Sequence, residues 1–478
     1  MDFCTRLDSA VRWRHQRWII LVAGLIEMIW FSGYHYGYNS LLGGWKSIGV
    51  FADHCVNFTS GCDQQSKMFE YGFLVWLITQ MILITVSGII MDRLGLRVLK
   101  LIAVGLNTIG TLMFAFITAG ASVLYFLGGV FVALGCISSL ICNHQISSMF
   151  PKYRGLVVSL VSGAFDSSTL FSFLVSKTYL SITMLTSFVI LACCGAFYGT
   201  LMALFGLTQW STGMENKGKR KDLMPNGNTC SEIYRVANVK VDQTREEEVN
   251  TYIQNILSKR YPNLRSCLLS LPFFLLVFWF MFGNLEFAFF LTRLAKQLNY
   301  LFDGDKHTVS ELLDVSGAML LGGFVVAPLS GFILDSSRAY FNRKIEILLS
   351  DRTRRSSDDI IYWTHLRGIA TGFFIMAVSA LVFSILNFIK LKALYYVTFV
   401  FFVIVRSLLF SSAISFMLIA FPVQYFGTIN GVCSTVGGIF GLIQYGLIQF
   451  SPVVCNGIGL GIAIVLFATP VTIFLKHR

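Results

Sequence analysis

Apolar and polar positions along this 478-residue chain fall into blocks rather than into the short periods of a soluble fold. Apolar runs of about twenty residues, the length a helix needs to cross a bilayer, recur with brief polar breaks between them. The pattern predicts twelve membrane helices, near 18–42, 70–91, 98–118, 122–146, 155–178 and 181–207, then 267–292, 309–335, 366–388, 393–420, 427–450 and 453–475. A polar stretch at 208–266 separates the sixth from the seventh. The expected organisation is an N-terminal six-helix bundle (1–207), a cytoplasmic linker (208–266) and a C-terminal six-helix bundle (267–478). The first apolar run is too long for a cleaved signal and lacks a small-residue cleavage site, so it is expected to stay as an anchor.

Composition agrees with an all-α membrane protein. The chain is 55% hydrophobic and 13% charged, where a soluble domain carries roughly a quarter charged residues. Lys and Arg set the orientation. Twenty-eight fall in the segments on the side of the termini, eight in the opposite loops and one, Arg406, within a span. Both termini are therefore expected in the cytoplasm, and the net charge of +12 reflects an anionic inner leaflet rather than a nucleic-acid partner. Cys55 and Cys62 share the first outer loop, either bridged or free. No zinc spacing or other metal cluster is legible, and no cofactor is expected. Asn57-Phe58-Thr59 is a glycosylation sequon in that same loop, which points to the plasma membrane or another membrane of the secretory pathway. The linker predicts one helix, about Gln243 to Lys259, within a solvated connector, with a regulatory docking role as the alternative.

The two halves echo each other. Gly88, Asp92, Arg93, Gly95 and Arg97 spell G-x-x-x-D-R-x-G-x-R after the second span, and Gly331 and Asp335 repeat its opening after the eighth. Phe150-Pro151 follows the fourth span and Phe421-Pro422 the tenth; Ser138-Ser139 and Ser411-Ser412 precede them. This signature resembles that of the major facilitator superfamily. The resemblance implies two six-helix pseudo-repeats that rock about a site near the membrane midplane. Asp92, Arg93, Arg97 and Asp335 are then candidate gating residues, latching the inner face through contacts that break as the bundles separate. No Walker A sequence suggests ATP as a driver, and Gly457, Gly459 and Gly461 suit close helix packing better than a nucleotide.

Ionisable residues inside a bilayer are costly and need a reason. Glu27, His144, Asp166, Glu286 and Arg406 stand within predicted spans. On a continuous first helix Glu27, Phe31, Tyr34 and Tyr38 share a face, offering a carboxylate and flat rings to a planar, nitrogen-rich solute; an aromatic packing stripe is the alternative. Ser159, Ser162, Asp166 and Thr169 make a polar stripe in the fifth span, facing either a pathway or other helices. Asn143, His144 and Gln145 are consecutive, so they point in different directions, and Gln145 suits an amide edge. Arg406 stays charged and needs an anion, from Glu27, Asp166 or substrate.

Gly163-Ala164-Phe165-Asp166-Ser167-Ser168, Arg406-Ser407-x-Leu409-Phe410 and Gly24-Leu25-Ile26-Glu27 resemble segments of solute carrier family 43, across essentially all twelve spans. The acid in the fifth span is closer to that family's nucleobase branch than to its amino acid branch. The resemblance implies facilitated, sodium-independent transport of purine nucleobases at the plasma membrane. Large neutral amino acids are the alternative, with Glu27 or Asp166 taking the ammonium and Arg406 the carboxylate. The expected substrate contacts are Glu27, Phe31, Tyr34, Gln145, Asp166 and Arg406. Tyr34, His35 and Tyr36 are bulkier than the nucleobase branch leads one to expect, and Glu286 lacks a counterpart. A proton-coupled carrier and a non-transporting receptor are further readings. An enzyme is the least favoured, since no nucleophile–base pair is visible. The expected partners are a small-molecule substrate and the bilayer, with the chain a monomer.

Overall fold

The computed structural model describes residues 16–55, 62–150, 153–207, 240–303, 305–350, 357–447 and 449–476. These are overwhelmingly helical, and no strand occurs among them. The first half comprises α1 (Gln16–Phe31), α2 (Tyr38–Ser47), α3 (Asp63–Leu94), α4 (Leu96–Ala115), α5 (Val123–His144), α6 (Arg154–Asp166), α7 (Thr169–Thr178) and α8 (Met184–Leu201). A linker helix α9 (Lys240–Arg260) follows. The second half comprises α10 (Leu271–Leu301), α11 (Lys306–Met319), α12 (Gly323–Ser350), α13 (Asp358–Leu386), α14 (Lys392–Ala420), α15 (Phe426–Gly441), α16 (Pro452–Val465) and α17 (Ala468–Leu475).

Ten helices among the described residues are long and apolar enough to span a bilayer. The other two expected spans are interrupted. The eighth breaks into α11 and α12 at a 3-10 turn, Leu320–Gly322, and carries Pro328 inside α12. The eleventh stops as α15 at Gly441 and resumes briefly at Gln444–Leu447. Large apolar side chains such as Val325, Phe332 and Phe197 lie exposed on the outside of the helices. Lipid is the solvent that such a surface suits.

The first span differs from the continuous helix expected. Helix α1 ends at Phe31, Gly33 takes φ +75°, and a 3-10 turn, Tyr34–Gly37, leads into α2. A left-handed step of this kind strains any residue with a Cβ, and it rotates everything beyond it. Cys55 and Cys62 are paired, with Cα atoms 5.9 Å apart. The sequon at Asn57 lies outside the described residues.

The halves meet along two seams, α3 against α15 and α6 against α12 and α14. A Cβ on Gly88 would sit 2.0 Å from the carbonyl oxygen of Gly427, and one on Gly331 would sit 2.4 Å from the Cα of Leu156. Those two glycines let backbones of opposite halves touch.

The linker helix is not a solvated strut. Val249, Ile253, Ile256 and Leu257 recur at helical spacing within a charged sequence and are buried. The helix docks on α12 and α13, where Tyr252 donates to Asp358 (2.8 Å), Tyr261 and Tyr362 share a hydroxyl contact (2.9 Å) and Arg260 pairs with Asp359.

Candidate functional site

A cavity lies between the halves, walled by α3, α5 and α6 on one side and by α10, α14 and α15 on the other. It holds about 690 Å³ of empty space, counting that at its open side. Most of the wall is apolar, including Met81, Ile84, Leu140, Phe165, Phe280 and Phe410. The lining residues that carry charge are Asp166 and Arg406, and they face each other.

Asp166 is the last residue of α6, where the fifth span steps through Ser167 and Ser168 into α7. Ser167 donates to the carbonyl of Leu321 (3.1 Å) and Ser168 to that of Phe165 (2.6 Å), so the step is held from both halves. Arg406, on α14, donates to Asp166 Oδ1 across the interface. Its guanidinium also lies over the rings of Phe287 (4.6 Å), Tyr36 (5.4 Å) and Phe410 (5.9 Å). Removing either member would leave a buried charge unpaired, which costs far more than the intact pair gains.

The bend at Gly33 brings Tyr36 to the cavity. Gln80 donates to its hydroxyl (2.9 Å), and Gln80 Oε1 lies 3.2 Å from His35 Nε2. The chain His35–Gln80–Tyr36 thus fixes the ring in the wall. His144 Nε2 lies 3.0 Å from the Ser162 hydroxyl, and its Nδ1 is buried without a hydrogen-bond partner. Asn430 and Ser434 on α15 supply polar groups from the second half.

The residues singled out from sequence separate into groups. Asp166 and Arg406 are brought together in the cavity. Glu27 lies outside its lining, 2.7 Å from the ammonium of Lys100, and also accepts from Asn143 (3.0 Å) and Ser139 (3.4 Å). Phe31 packs on Tyr198 with ring centres 5.6 Å apart. Tyr34 is fully buried, its hydroxyl 2.6 Å from that of Thr111. Gln145 opens the 3-10 turn after α5 and keeps both amide atoms buried and unpartnered, outside the lining. Glu286, on α10, accepts from Ser384 (2.7 Å) within the second half. Tyr38, placed with Glu27 on a straight helix, stacks on Phe73 (4.0 Å) instead.

The gating candidates divide as well. Asp92 accepts from the backbone N–H groups of Gly427 (3.1 Å) and Thr428 (2.7 Å) and from the Thr428 hydroxyl (2.7 Å). Asp335 accepts from the N–H groups of Gly155 (2.8 Å) and Leu156 (2.9 Å). Each carboxylate therefore caps the N-terminus of a helix in the opposite half, α15 and α6 respectively, where free N–H groups and the helix dipole favour negative charge. Arg97 donates to the carbonyls of Ala203 (3.1 Å) and Leu207 (3.0 Å) in its own half, and Arg93 is exposed.

Tyr36, Gln80, Asn430 and Ser434 were not selected as substrate contacts from the sequence. A lone amide in an apolar run, Gln80 or Asn430, is the signal that was available for two of them.

The sequence matches the Major Facilitator Superfamily over residues 65–445. It is 25% identical over 457 residues to equilibrative nucleobase transporter 1 of Bos taurus, covering 89% of this chain and 88% of that one. It is 22% identical over 503 residues to large neutral amino acids transporter small subunit 3 of Homo sapiens, covering 90% and 87%. Among solved structures, the proton:xylose symporter XylE bound to 6-bromo-6-deoxy-D-glucose aligns with TM-score 0.55 at 12% identity, over 97% of this chain and 96% of that one. That last likeness concerns the fold alone.

Proposed function

The chain belongs to the major facilitator superfamily, and from that premise we propose that this membrane transporter moves purine nucleobases by alternating access, as a sodium-independent uniporter of the plasma membrane with both termini cytoplasmic. The observation that carries the reading is the charge balance of the cavity. Asp166 and Arg406 neutralise each other, so the groups left for a solute are neutral: the Tyr36 hydroxyl, His144, Asn430 and Ser434. An amide such as Asn430 offers a donor and an acceptor to the edge of a base. Phe165, Phe280 and Phe410 offer flat apolar surface to its faces.

The Asp166–Arg406 pair also ties α6 to α14, so it must reorganise when the halves rock. Asp92 and Asp335 hold the end of the bundle that carries the termini, and we read them as the inner gate. Glu27, Phe31 and Tyr34 we assign to packing within the first half. Gln145, with its unpartnered amide, we keep as a contact made in the inward-open state. One observation favours amino acids as a second reading: Asp166 and Arg406 carry the charges that would bind an ammonium and a carboxylate if a zwitterion split the pair. Uptake of labelled adenine and leucine in cells expressing the chain, with and without sodium and a protonophore, separates the readings. Saturable adenine uptake indifferent to both treatments is expected; leucine uptake that adenine does not inhibit would replace the nucleobase with an amino acid.

A further inference from the structure

His144 ends α5 and is part of the cavity wall. The residue is 2% exposed, so each ring nitrogen needs a partner from the protein or from what the cavity holds. Nε2 lies 3.0 Å from the Ser162 hydroxyl of α6, and Nδ1 is buried without a hydrogen-bond partner. A buried polar atom left unsatisfied carries its full desolvation penalty. Other polar groups of the wall do not relieve it. Gln80 is committed to Tyr36 and His35, and Asp166 to Arg406.

The contact with Ser162 leaves the sense of Nδ1 open. A hydroxyl donates or accepts by rotating, and a neutral imidazole carries its one N–H on either nitrogen. With Ser162 donating to Nε2, Nδ1 bears the proton and is a donor. With Ser162 accepting from Nε2–H, Nδ1 is an acceptor. A carboxylate in the place of Ser162 would lock the ring in the second form.

We propose that Nδ1 of His144 reads the exocyclic group at position 6 of a purine, and that its reversible sense lets one site hold both 6-amino and 6-oxo bases. This rests on the nucleobase reading above and adds a residue that sets selectivity within it. Adenine presents an N–H donor at that position, and the 6-oxo bases present an oxygen acceptor. A group of fixed sense would pair with one class and leave buried polar atoms unpaired with the other. While the cavity is open to water, the ring gives the proton of one nitrogen to water and takes one on the other, so its charge is unchanged. The base then selects the tautomer that matches it, and the Ser162 hydroxyl turns to suit.

The test is inhibition of labelled adenine uptake, in cells expressing the full chain, by unlabelled adenine, hypoxanthine and unsubstituted purine, which has only hydrogen at position 6. Two variants separate the ring nitrogens. In His144→Asn the amide stands about where Nδ1 stood, so the solute contact is kept and that with Ser162 is lost. In His144→Gln the amide stands about where Nε2 stood, and the reverse holds. His144→Gln should raise the half-inhibitory concentrations of adenine and hypoxanthine by roughly threefold to tenfold, the loss of one hydrogen bond, and leave that of purine unchanged. His144→Asn should stay near wild type for all three. His144→Leu removes both contacts, should match His144→Gln, and replaces it if that variant does not fold. Equal rises for all three bases, unchanged values in His144→Gln, or a loss in His144→Asn that His144→Gln does not share, overturns the assignment. A wild type without saturable adenine uptake overturns the nucleobase reading itself, and the assignment falls with it.

Discussion

Asp92→Asn tests the gate most sharply, because the change is isosteric and the contacts it weakens all cross between the halves. Three hydrogen bonds reach the carboxylate, from Gly427, Thr428 and the Thr428 side chain. With the amide oxygen toward Thr428, two bonds survive without their charge, and the new NH₂ confronts the N–H of Gly427. Hydrogen bonds to a charged group contribute about 1.5–3 kcal/mol each and neutral ones about 1 kcal/mol. The favourable term with the α15 N-terminus, about 0.3–1 kcal/mol, also goes. Rehydration of the freed groups offsets part of the sum, leaving about 2–3 kcal/mol against the closed inner gate. At about 1.4 kcal/mol per factor of ten, the closed-to-open ratio falls roughly 30- to 150-fold. A cysteine placed at Ile419, buried at the C-terminal end of α14, reports the change. Its modification by an impermeant maleimide in inside-out vesicles should speed up by more than tenfold in Asp92→Asn. An unchanged rate, in protein that still folds, would refute the assignment of Asp92 to the gate.

Three further outcomes follow from the same geometry. Gly88→Val places side-chain carbon where the Gly427 carbonyl sits, so transport should fall by at least tenfold while expression and Tm in detergent change little, checked by uptake beside thermal unfolding. Asp166→Asn leaves Arg406 buried without its carboxylate, at a cost of about 3–5 kcal/mol; Tm should drop, and the double variant with Arg406→Gln should recover most of it without recovering transport. Lys100→Met strands Glu27 in the same way, so the yield of folded protein should fall, whereas surviving protein should keep its KM, and adding Glu27→Gln should restore yield.

Much of the architecture was legible because membrane helices announce themselves. Apolar length needs no tertiary knowledge, and the interrupted eighth and eleventh spans still read as apolar runs. The site was harder. Asp166 and Arg406 were conspicuous as charges in apolar runs, but their pairing spans 240 positions of sequence and only the packing of α6 on α14 makes it. Glu27 was equally conspicuous for the same reason. Its partner Lys100 looked like one more basic residue at the inner edge of a span, so a satisfied ion pair resembled a free carboxylate. Tyr34 and Tyr36 exchanged roles at one residue: a straight helix aligns Tyr34 with Glu27, and the left-handed step at Gly33 sends Tyr34 into the packing and Tyr36 to the cavity. The stripe Val249, Ile253, Ile256 and Leu257 was present in the linker, but high surrounding charge masked it.

Equilibrium counterflow in proteoliposomes holding the purified chain tests the central claim most directly. Vesicles loaded with unlabelled adenine, without sodium and with the proton gradient collapsed, are diluted into trace labelled adenine. The account predicts a transient accumulation of label, abolished in the Asp166→Asn, Arg406→Gln pair and undiminished by external leucine. No accumulation with adenine inside, together with a full transient when leucine is loaded and labelled instead, would contradict it.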